Sequence, residues 1–353
     1  MGRKNKNPAR TTSSKKSQNN MPRVSVCTPT FNRRPFIPSL IKCFEHQDYP
    51  KELIEWIIID DGTDKVEDLF TDIPNVKYFK YDEKMSLGKK RNIMHQKSSG
   101  EFIVYMDDDD YYPPERISHA VESLVRSPGA LCAGSSEIYI YFHELNEIYQ
   151  FGPYSKNHAT AGTLPFRRKL LDEHKYDDEA ALAEEKAFLK NYTVPFVQLD
   201  PKKVILVFSH EHNTFDKRKL LNGCENNSFI KKSDKTVDCF VKQEQLKQFY
   251  MYEIHELLKD YPAGEPSNKP DVIKQTKEIE ERRAREMENN GKIVMQDQNG
   301  NNKTLTTPEI VEVIKSLQKE NTELKQTGIM METPDGEKRT LTNGEIAVVI
   351  KKL

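Results

Sequence analysis

The chain has 353 residues, which is enough for one full α/β domain with an appendage. Charged residues make up 31% and hydrophobic residues 36% of it, and this polar balance predicts that part of the chain is extended or disordered. The net charge of -1 excludes a global basic field of the kind that binds nucleic acid, and the five cysteines, odd in number and without Cys-x-x-Cys spacing, argue against a disulfide framework or a thiolate zinc site.

Residues 1–20 contain lysine, arginine, asparagine, serine and threonine with almost no aliphatic side chain, so we expect a disordered basic tail. The sequence begins without the apolar core of a signal peptide. It also lacks an apolar run near the ~18 residues that a membrane-spanning helix needs. Together with the free cysteines, these features predict a cytoplasmic protein without a transmembrane segment.

Short apolar runs alternate with amphipathic segments from residue 24 onward. Four runs have the length of buried strands, and they begin at Val24, Leu53, Val76 and Phe102. A helix is predicted over residues 86–97, directly before the fourth strand. Strands and helices at this spacing predict βαβ units and a mostly parallel sheet.

An acidic run follows the fourth strand, at Asp107, Asp108, Asp109 and Asp110. Adjacent carboxylates repel one another, and a fold accepts that cost mostly where a divalent cation or a set of donors neutralises them. One interpretation is a Mg²⁺ or Mn²⁺ site at the carboxyl edge of the sheet. The other is a solvated acidic turn that caps the next helix.

The carboxyl ends of parallel strands meet at one edge of a sheet, so the polar residues that follow these strands should form one pocket. Its predicted members are Thr30, Asn32, Asp60, Asp61 and the four aspartates, with Lys89, Lys90 and Arg91 at the start of the helix before the last strand. Carboxylates, a cation site and basic side chains together would satisfy a nucleotide diphosphate with its metal.

In this order, the motifs resemble those of the family 2 glycosyltransferases, which have the GT-A fold. The resemblance covers roughly residues 22–220 and rests on these segments: Thr-Phe-Asn-Arg from Thr30, Asp-Asp-Gly from Asp60, Leu-Gly-Lys-Lys-Arg-Asn from Leu87, Met-Asp-Asp-Asp-Asp from Met106, Gly-Thr-Leu-Pro-Phe-Arg-Arg from Gly162, Ala-Glu-Glu from Ala183 and Ser-His-Glu-His-Asn-Thr from Ser209. It implies a metal-dependent enzyme that transfers a sugar from a nucleoside-diphosphate sugar, UDP or GDP, to a hydroxyl with inversion.

The same resemblance assigns roles on the donor side. Thr30, with Asp61 and Asp60, would contact the base and ribose, and Lys90 and Arg91 would lie near the diphosphate. Asp107 and Asp109 match the two aspartates of the family's Asp-x-Asp motif. Asp109 would be the direct metal ligand, with Asp108 or Asp110 assisting it.

The base and the last metal ligand are less sharply assigned. The family usually has Glu-Asp where this chain has Glu184-Glu185, so Glu185 falls on the catalytic base, while Glu184 and Asp178 stay open as alternatives. His210 and His212 alternate after an apolar strand and should point to opposite sides. The Asn-Thr pair that follows favours His212 as the residue that completes the metal shell.

The composition changes after about residue 222, and the predicted catalytic domain ends there, spanning residues 21–225. An amphipathic helical extension is predicted to residue 261, then a proline-rich linker with a charged helix over 262–290. Residues 291–353 repeat a pattern, because Asn299-Gly300 recurs as Asp335-Gly336, each followed by Thr-Leu-Thr and a helical segment. Two ββα repeats used for docking or homo-oligomerisation are expected.

The sequence therefore predicts an inverting glycosyltransferase that uses a nucleoside-diphosphate sugar and a hydroxyl acceptor on a glycan, protein or lipid; the resemblance implies a UDP-sugar, with a GDP-sugar as the alternative. Two other functions stay open. A catalytically inactive scaffold with the same fold would keep the repeats as its working part. A sugar-phosphate nucleotidyltransferase shares the nucleotide-binding half, although no glycine-rich phosphate loop follows the first strand.

Overall fold

A computed structural model describes residues 21–182, 184–222, 224, 227–290, 294–296, 302–305, 307–327, 330–332 and 338–340. The chain divides into two compact units, Met1–Lys277 and Glu278–Leu353. The tail predicted over residues 1–20 lies outside the described residues.

A seven-stranded, mostly parallel sheet forms the centre of the first unit, in the order β3-β2-β1-β4-β8-β5-β9. β1, β2, β3 and β4 run parallel, whereas β8 pairs antiparallel with β4. The strands are β1 Val24–Thr30, β2 Ile54–Asp60, β3 Val76–Lys80, β4 Phe102–Tyr105, β5 Cys132–Gly134, β8 Pro165–Arg167 and β9 Phe196–Gln198. This is the α/β architecture expected of a GT-A fold.

Helices cover the central sheet, and every residue of β1 and β2 is buried, as the apolar runs predict for strands covered on both faces. Within β2, Trp56 stacks on Phe44 with a centroid distance of 4.2 Å. The indole nitrogen of Trp56 donates to the Thr28 hydroxyl at 2.9 Å. The helices that begin near this sheet are α1 Ile37–Glu45, α2 Leu87–Lys97, α3 Arg116–Arg126 and α4 Glu185–Phe188.

A second sheet of four strands follows the order β10-β6-β7-β11, with β6 Ile138–Phe142, β7 Glu147–Phe151, β10 Val207–Ser209 and β11 Ile230–Lys232. The amphipathic segment predicted before residue 261 is helical but not continuous. A π-helical turn, Phe249–Glu253, separates α5 Glu244–Gln248 from α6 Ile254–Lys259. This extra width in the helix accompanies the burial of Tyr250 at 0% exposure.

The proline-rich stretch predicted to be a linker belongs to the first compact unit. Its prolines begin two short 3₁₀ turns, Pro262–Gly264 and Pro266–Asn268, and then the helix α7 Pro270–Asn290. Proline suits the first turn of a helix, because the missing N–H would have no partner there. Lys269, between the second turn and α7, is only 6% exposed.

Besides the end of α7, the described residues of the second unit form two hairpins and the helix α8: β12 Val294–Gln296 with β13 Asn302–Thr304, α8 Thr307–Thr327, and β14 Met330–Glu332 with β15 Lys338–Thr340. The segment predicted as the helix of the second repeat lies in residues 341–353, outside the described residues, and the two ββα repeats stay a prediction. Within the described parts of the chain, no helix combines the length and the apolar character needed to cross a bilayer.

Candidate active site

Three parallel strands deliver their final residues to one edge of the sheet. Thr30 at the end of β1 is in register with Asp60 at the end of β2. On the other side of β1, the amide of Met106 donates to the carbonyl of Cys27 at 3.2 Å, so the aspartate run begins level with the end of β1. The polar residues predicted from strand ends are therefore brought together.

The carboxylate of Asp60 is occupied by its own loop. It accepts hydrogen bonds from the amide of Gly62 at 2.8 Å, the amide of Val66 at 3.1 Å and the hydroxyl of Tyr78. A carboxylate with three donors has little capacity left for a ligand. Asp60 thus fixes the loop after β2, and its predicted role in donor binding stays a prediction.

Asn32 ties the loop after β1 to the loop after β2. Its side-chain oxygen accepts from the amides of Thr63 at 2.7 Å and Asp64 at 3.0 Å, and its side-chain nitrogen donates to the carbonyl of Ala263 at 2.8 Å. The backbone of Asn32 is left-handed, with φ 52°, a conformation that asparagine tolerates better than most residues. Its side chain is thus committed to loop structure.

Asp61 and Lys90 form a buried ion pair at 2.8 Å, and Asp61 also accepts from the amide of Met85 at 2.6 Å. Lys90 reaches the carbonyl of Thr30 at 3.4 Å. The hydroxyl of Thr30 itself is buried and lies near the Asp108 carboxylate, where it opposes the rise that burial causes in the pKa of Asp108. Because both groups are polar and buried at this edge, the Thr30 oxygen is a candidate ligand contact.

Within the aspartate run, Asp109 lies beside a histidine and an arginine. Asp109 lies 3.3 Å from Nε2 of His210 and 3.4 Å from Nη2 of Arg33. Burial opposes ionisation of Asp109, but its hydrogen bond to His210 and the charge of Arg33 more than offset burial and hold its pKa well below the ordinary value. Asp109 is therefore the aspartate of the run that most favours the ionised form.

The pKa values of its neighbours Asp108 and Asp110 shift in the opposite direction. Burial and the charge of Asp109 raise the pKa of Asp110 well above its usual range, and burial raises the pKa of Asp108 to about 7, against the opposing charge of Arg33. Asp110 points inward, where it accepts from the amide of Phe208 at 3.3 Å. The repulsion expected within the run is thus relieved by protonation of its members as well as by cations.

Arg91 connects the aspartate run to Glu184, the residue directly before the predicted base Glu185. Its Nε donates to Glu184 at 2.7 Å, and its Nη2 lies 3.6 Å from Asp107. The guanidinium also sits over the ring of Tyr105, 4.2 Å from the centroid. Burial opposes the charge, but Glu184 and Asp107 raise the pKa of Arg91 well above its usual value. Arg91 was predicted near the diphosphate; here it joins two carboxylates.

Glu185 follows immediately and begins α4. Burial, and then the neighbouring Glu184 carboxylate, raise the pKa of Glu185 to about 7. A carboxylate with this pKa can accept a proton near neutral pH. Asp178, the other alternative for the base, accepts a hydrogen bond from Asn92 at 2.7 Å at the surface.

The two histidines point differently, as their alternation predicts. His210 packs on Phe36 at 4.7 Å and faces Asp109, whereas His212 lies 6.5 Å from the ring of Tyr261. On the sequence alone, Asn213 favours His212 as the histidine that completes the metal shell. Instead its side chain contacts His210, since its oxygen accepts from the His210 amide at 2.9 Å. The geometry therefore favours His210 as the partner of Asp109, and a metal role for His212 stays a prediction.

The sequence model described as Glycosyl transferase family 2 matches residues 25–182. The chain carries a family 2 glycosyltransferase domain. A Campylobacter jejuni GalNAc(5)-diNAcBac-PP-undecaprenol beta-1,3-glucosyltransferase is 37% identical over 114 residues, which are 30% of this chain and 34% of that protein. The Staphylococcus aureus poly(ribitol-phosphate) beta-N-acetylglucosaminyltransferase TarS is 30% identical over 105 residues, 28% of this chain and 18% of that protein. The chain thus spans about a third or less of these relatives.

Two solved structures are also similar to the chain. The S. aureus TarS 1–349 complex with UDP-GlcNAc has 22% identity and a TM-score of 0.41, over 54% of this chain and 59% of that one. The mannosyltransferase PcManGT from Pyrobaculum calidifontis, in complex with GDP-Man and Mn²⁺, has 16% identity and a TM-score of 0.45, over 69% of this chain and 73% of that one.

The glycosyltransferase domain offers an incomplete metal site. Across the described residues, no group of three or more His, Cys, Asp or Glu side chains is arranged to hold a metal ion. Asp109 supplies a carboxylate oxygen of suitable chemistry, and His210 supplies Nε2, which also lies 2.7 Å from the side-chain nitrogen of Asn213. Mg²⁺ is usually bound through one or two carboxylates plus substrate phosphates. These residues therefore fit a cation that is shared with a phosphorylated ligand.

Two residues at this edge of the glycosyltransferase domain were missed in the sequence. Arg33 contacts Asp108 at 3.5 Å and Asp109 at 3.4 Å. His210, rather than the predicted His212, faces Asp109. Arg33 ends the Thr-Phe-Asn-Arg motif, so its position beside the strand-end residues was a usable signal. The orientation of His210 depends on the turn that Asn213 makes, which residue spacing does not reveal.

Proposed function

We propose that the chain is a metal-dependent, inverting glycosyltransferase that moves a sugar from a nucleoside-diphosphate sugar to a hydroxyl group. The observation that carries this proposal is the Arg91 bridge, which places Glu184, and the adjacent Glu185, beside Asp107 of the aspartate run. The donor end and the base end of the reaction then lie at the same edge of the sheet. The family 2 match supports the reaction class.

On the donor side, Asp61 and the Thr30 hydroxyl would contact the base and ribose. Asp109 and His210 would hold Mn²⁺ or Mg²⁺, which, when bound, neutralises charge on the leaving diphosphate. Asp108 is a further candidate for contact with the donor. Asp110 is a weaker candidate for a metal ligand, because it faces the amide of Phe208. His212 is also a weaker candidate, because His210 faces Asp109. Lys90 keeps a position between Thr30 and Asp61, where it would stabilise their arrangement.

On the acceptor side, Glu185 is proposed as the general base. It would accept the proton of the acceptor hydroxyl while that oxygen bonds to the anomeric carbon and the carbon–phosphate oxygen bond breaks. The nucleoside diphosphate leaves with the electron pair of that bond. Attack opposite the leaving group gives a β-linked product from an α-linked donor. Glu184, held by Arg91, would position Glu185 rather than accept the proton.

The donor is proposed to be a UDP-sugar, with a GDP-sugar as the alternative. The two curated relatives are named as a beta-1,3-glucosyltransferase and a beta-N-acetylglucosaminyltransferase, and both names describe β-linked products. This agrees with inversion at the anomeric carbon. The acceptor class is left as a hydroxyl on a glycan, a protein or a lipid.

Calorimetric titration of UDP-sugars and GDP-sugars, with and without Mn²⁺, tests the proposal. Wild type should bind one donor series in a metal-dependent manner, and Asp109→Ala should lose that dependence. Asp82→Ala is the matched control, because Asp82 is an exposed acidic residue of the same unit. If no donor binds to wild type under any condition, the catalytic assignment fails and an inactive scaffold becomes the better description.

A further inference from the structure

A segment beyond the family 2 match crosses the candidate active site. This segment, residues 262–275, is called the strap; it comprises the two proline-led turns and the first residues of α7. All of it belongs to the first compact unit. The family 2 match ends at residue 182, so the strap lies outside the matched region.

The strap is anchored first on the donor side of the site. The side chain of Asn32 donates to the carbonyl of Ala263 at 2.8 Å, and Arg33 donates to the carbonyl of Gly264 at 3.3 Å. A Cβ added at Gly264 would lie 2.8 Å from Nδ1 of His212 and 3.0 Å from the carbonyl oxygen of Asn32. Glycine is required there, because the strap backbone passes so close to the loops after β1 and β10.

Its other end is anchored beside the base. Asp271 pairs with Lys84 at 2.5 Å. Gln275 accepts from the amide of Ala181 at 2.9 Å and donates to the carbonyl of Glu179 at 2.7 Å. The strap therefore runs from the nucleotide-side loops to the loop that leads into Glu184, and it spans the same edge that the reactants would use.

Lys269 is the cation that the strap carries into this edge. It is 6% exposed, and its ammonium donates to the hydroxyl of Thr214 at 3.0 Å. Burial, and then the charge of Arg33, lower the pKa of Lys269 well below its ordinary value, although the nearby Asp109 and Asp108 carboxylates oppose this shift. A lysine is seldom buried without an anion to compensate it, and here its hydrogen-bond partner is a neutral hydroxyl.

Other groups around Lys269 point to an anionic, oxygen-rich ligand. α7 begins at Pro270, so the positive end of a 21-residue helix lies next to the ammonium. Nδ1 of His212, in the loop after β10, is buried without a hydrogen-bond partner among the described residues, and Oγ1 of Thr30 is buried near Asp108. Both side chains are almost fully buried, at 4% and 1% exposure.

We propose that Lys269 binds the diphosphate of the donor and that the strap closes the donor site over it. The inference rests on the proposed function, because it names a further binding residue for the same nucleotide. A lysine suits this position because its compact charge can pair with phosphate oxygens without fixed geometry. The cation bound at Asp109 and the ammonium of Lys269 would then contact the same diphosphate.

The test compares UDP with UMP, and GDP with GMP, by calorimetry in the presence of Mn²⁺. The full chain is used as wild type and as Lys269→Met, which keeps most of the apolar stem. Loss of a charge-assisted contact should weaken diphosphate binding by roughly ten- to a hundredfold. Monophosphate binding should weaken by a smaller factor, because a monophosphate offers the ammonium less charge and fewer phosphate oxygens than a diphosphate.

Lys274→Met is the matched control, since Lys274 is exposed on the same helix and should leave both affinities unchanged. The ratio of diphosphate to monophosphate affinity also separates the contact from partial unfolding, which lowers both affinities together. Lys269→Arg should recover part of the ratio. An unchanged ratio in Lys269→Met, or tighter diphosphate binding, would overturn the inference, the second by showing that the strap blocks the site. Failure of wild type to bind any nucleotide would count against the proposed function instead.

Discussion

Asp60 and Asp109 lie at the carboxyl ends of β2 and β4, the two parallel strands that flank β1, yet their surroundings differ. After β2, Asp60 accepts three hydrogen bonds from its own loop and from Tyr78. After β4, Asp109 is paired with His210 and Arg33 at 3.3 and 3.4 Å, distances longer than those of a tight charge-assisted hydrogen bond. The first carboxylate holds the fold in place, and the second is loosely held and open to a stronger partner.

The same contrast recurs one residue apart in the base segment. Glu184 is buried at 4% exposure in a 2.7 Å ion pair with Arg91, whereas Glu185 is more exposed and has a pKa raised to about 7. The oxygen of Glu184 that Arg91 binds is already occupied by a hydrogen bond, whereas the partly exposed Glu185 can reach a substrate hydroxyl. Residues of the same type at this edge of the sheet can therefore have a structural or a chemical role. The number of hydrogen bonds that each carboxylate already accepts distinguishes the two roles.

The largest expected effect is on Glu185. Glu185→Gln should lower the transfer rate by roughly 10²- to 10⁴-fold, because general base catalysis contributes about that much. Donor affinity and the midpoint of unfolding should stay close to those of wild type. Rate measurements at saturating donor, together with a melting curve, check this.

Glu185→Asp is the matched variant, since aspartate is the residue that the family usually places there. It should retain more activity than Glu185→Gln. Full activity in Glu185→Gln would remove Glu185 from the reaction and return Glu184 and Asp178 to consideration.

The next effect is on Asp60, and it should fall on stability. Asp60→Ala would leave the amides of Gly62 and Val66 and the hydroxyl of Tyr78 without their acceptor, at a cost of about 3 kcal/mol in the free energy of unfolding. Asp109→Ala should cost far less, because it removes a carboxylate that repels Asp108 and Asp110. Urea titrations of both variants test the contrast, which breaks if Asp109→Ala proves the less stable of the two.

The smallest effect is that of pH on the wild-type rate. Glu185 acts as a base only when ionised, and its pKa is about 7 in the folded protein. The rate at saturating substrates should therefore fall about tenfold for each pH unit below that value and level off above it. A pH profile from 5 to 9 gives the measurement. A flat profile across neutral pH would show that proton transfer to Glu185 does not limit the rate.

The sequence predicted the strand ends well because each strand combines local signals. β-branched, apolar runs start the strands, and Pro29, the Asp60-Asp61-Gly62 turn and the aspartate run mark their ends. Since parallel strands finish at one edge, the residues that would meet there could be named without any long-range contact. The family 2 match confirms the resemblance that the motifs indicated.

The roles of individual side chains at this edge of the sheet could not be predicted from local sequence signals. Whether Asp60 is saturated depends on Tyr78 from another strand, and the orientation of His210 depends on the turn at Asn213. Lys269 gave no signal at all, because its neighbourhood reads as a linker. These outcomes follow from contacts between distant segments, which local composition does not encode.

The stack of Trp56 on Phe44 has a practical consequence for spectroscopy. The chain contains one tryptophan, and it lies at 0% exposure in β2, the strand that ends at Asp60. Its fluorescence emission should be blue-shifted in the folded state and should move to longer wavelength when the sheet opens to water. Because the second unit contains no tryptophan, emission follows the glycosyltransferase domain alone and records its unfolding separately from that of the repeats.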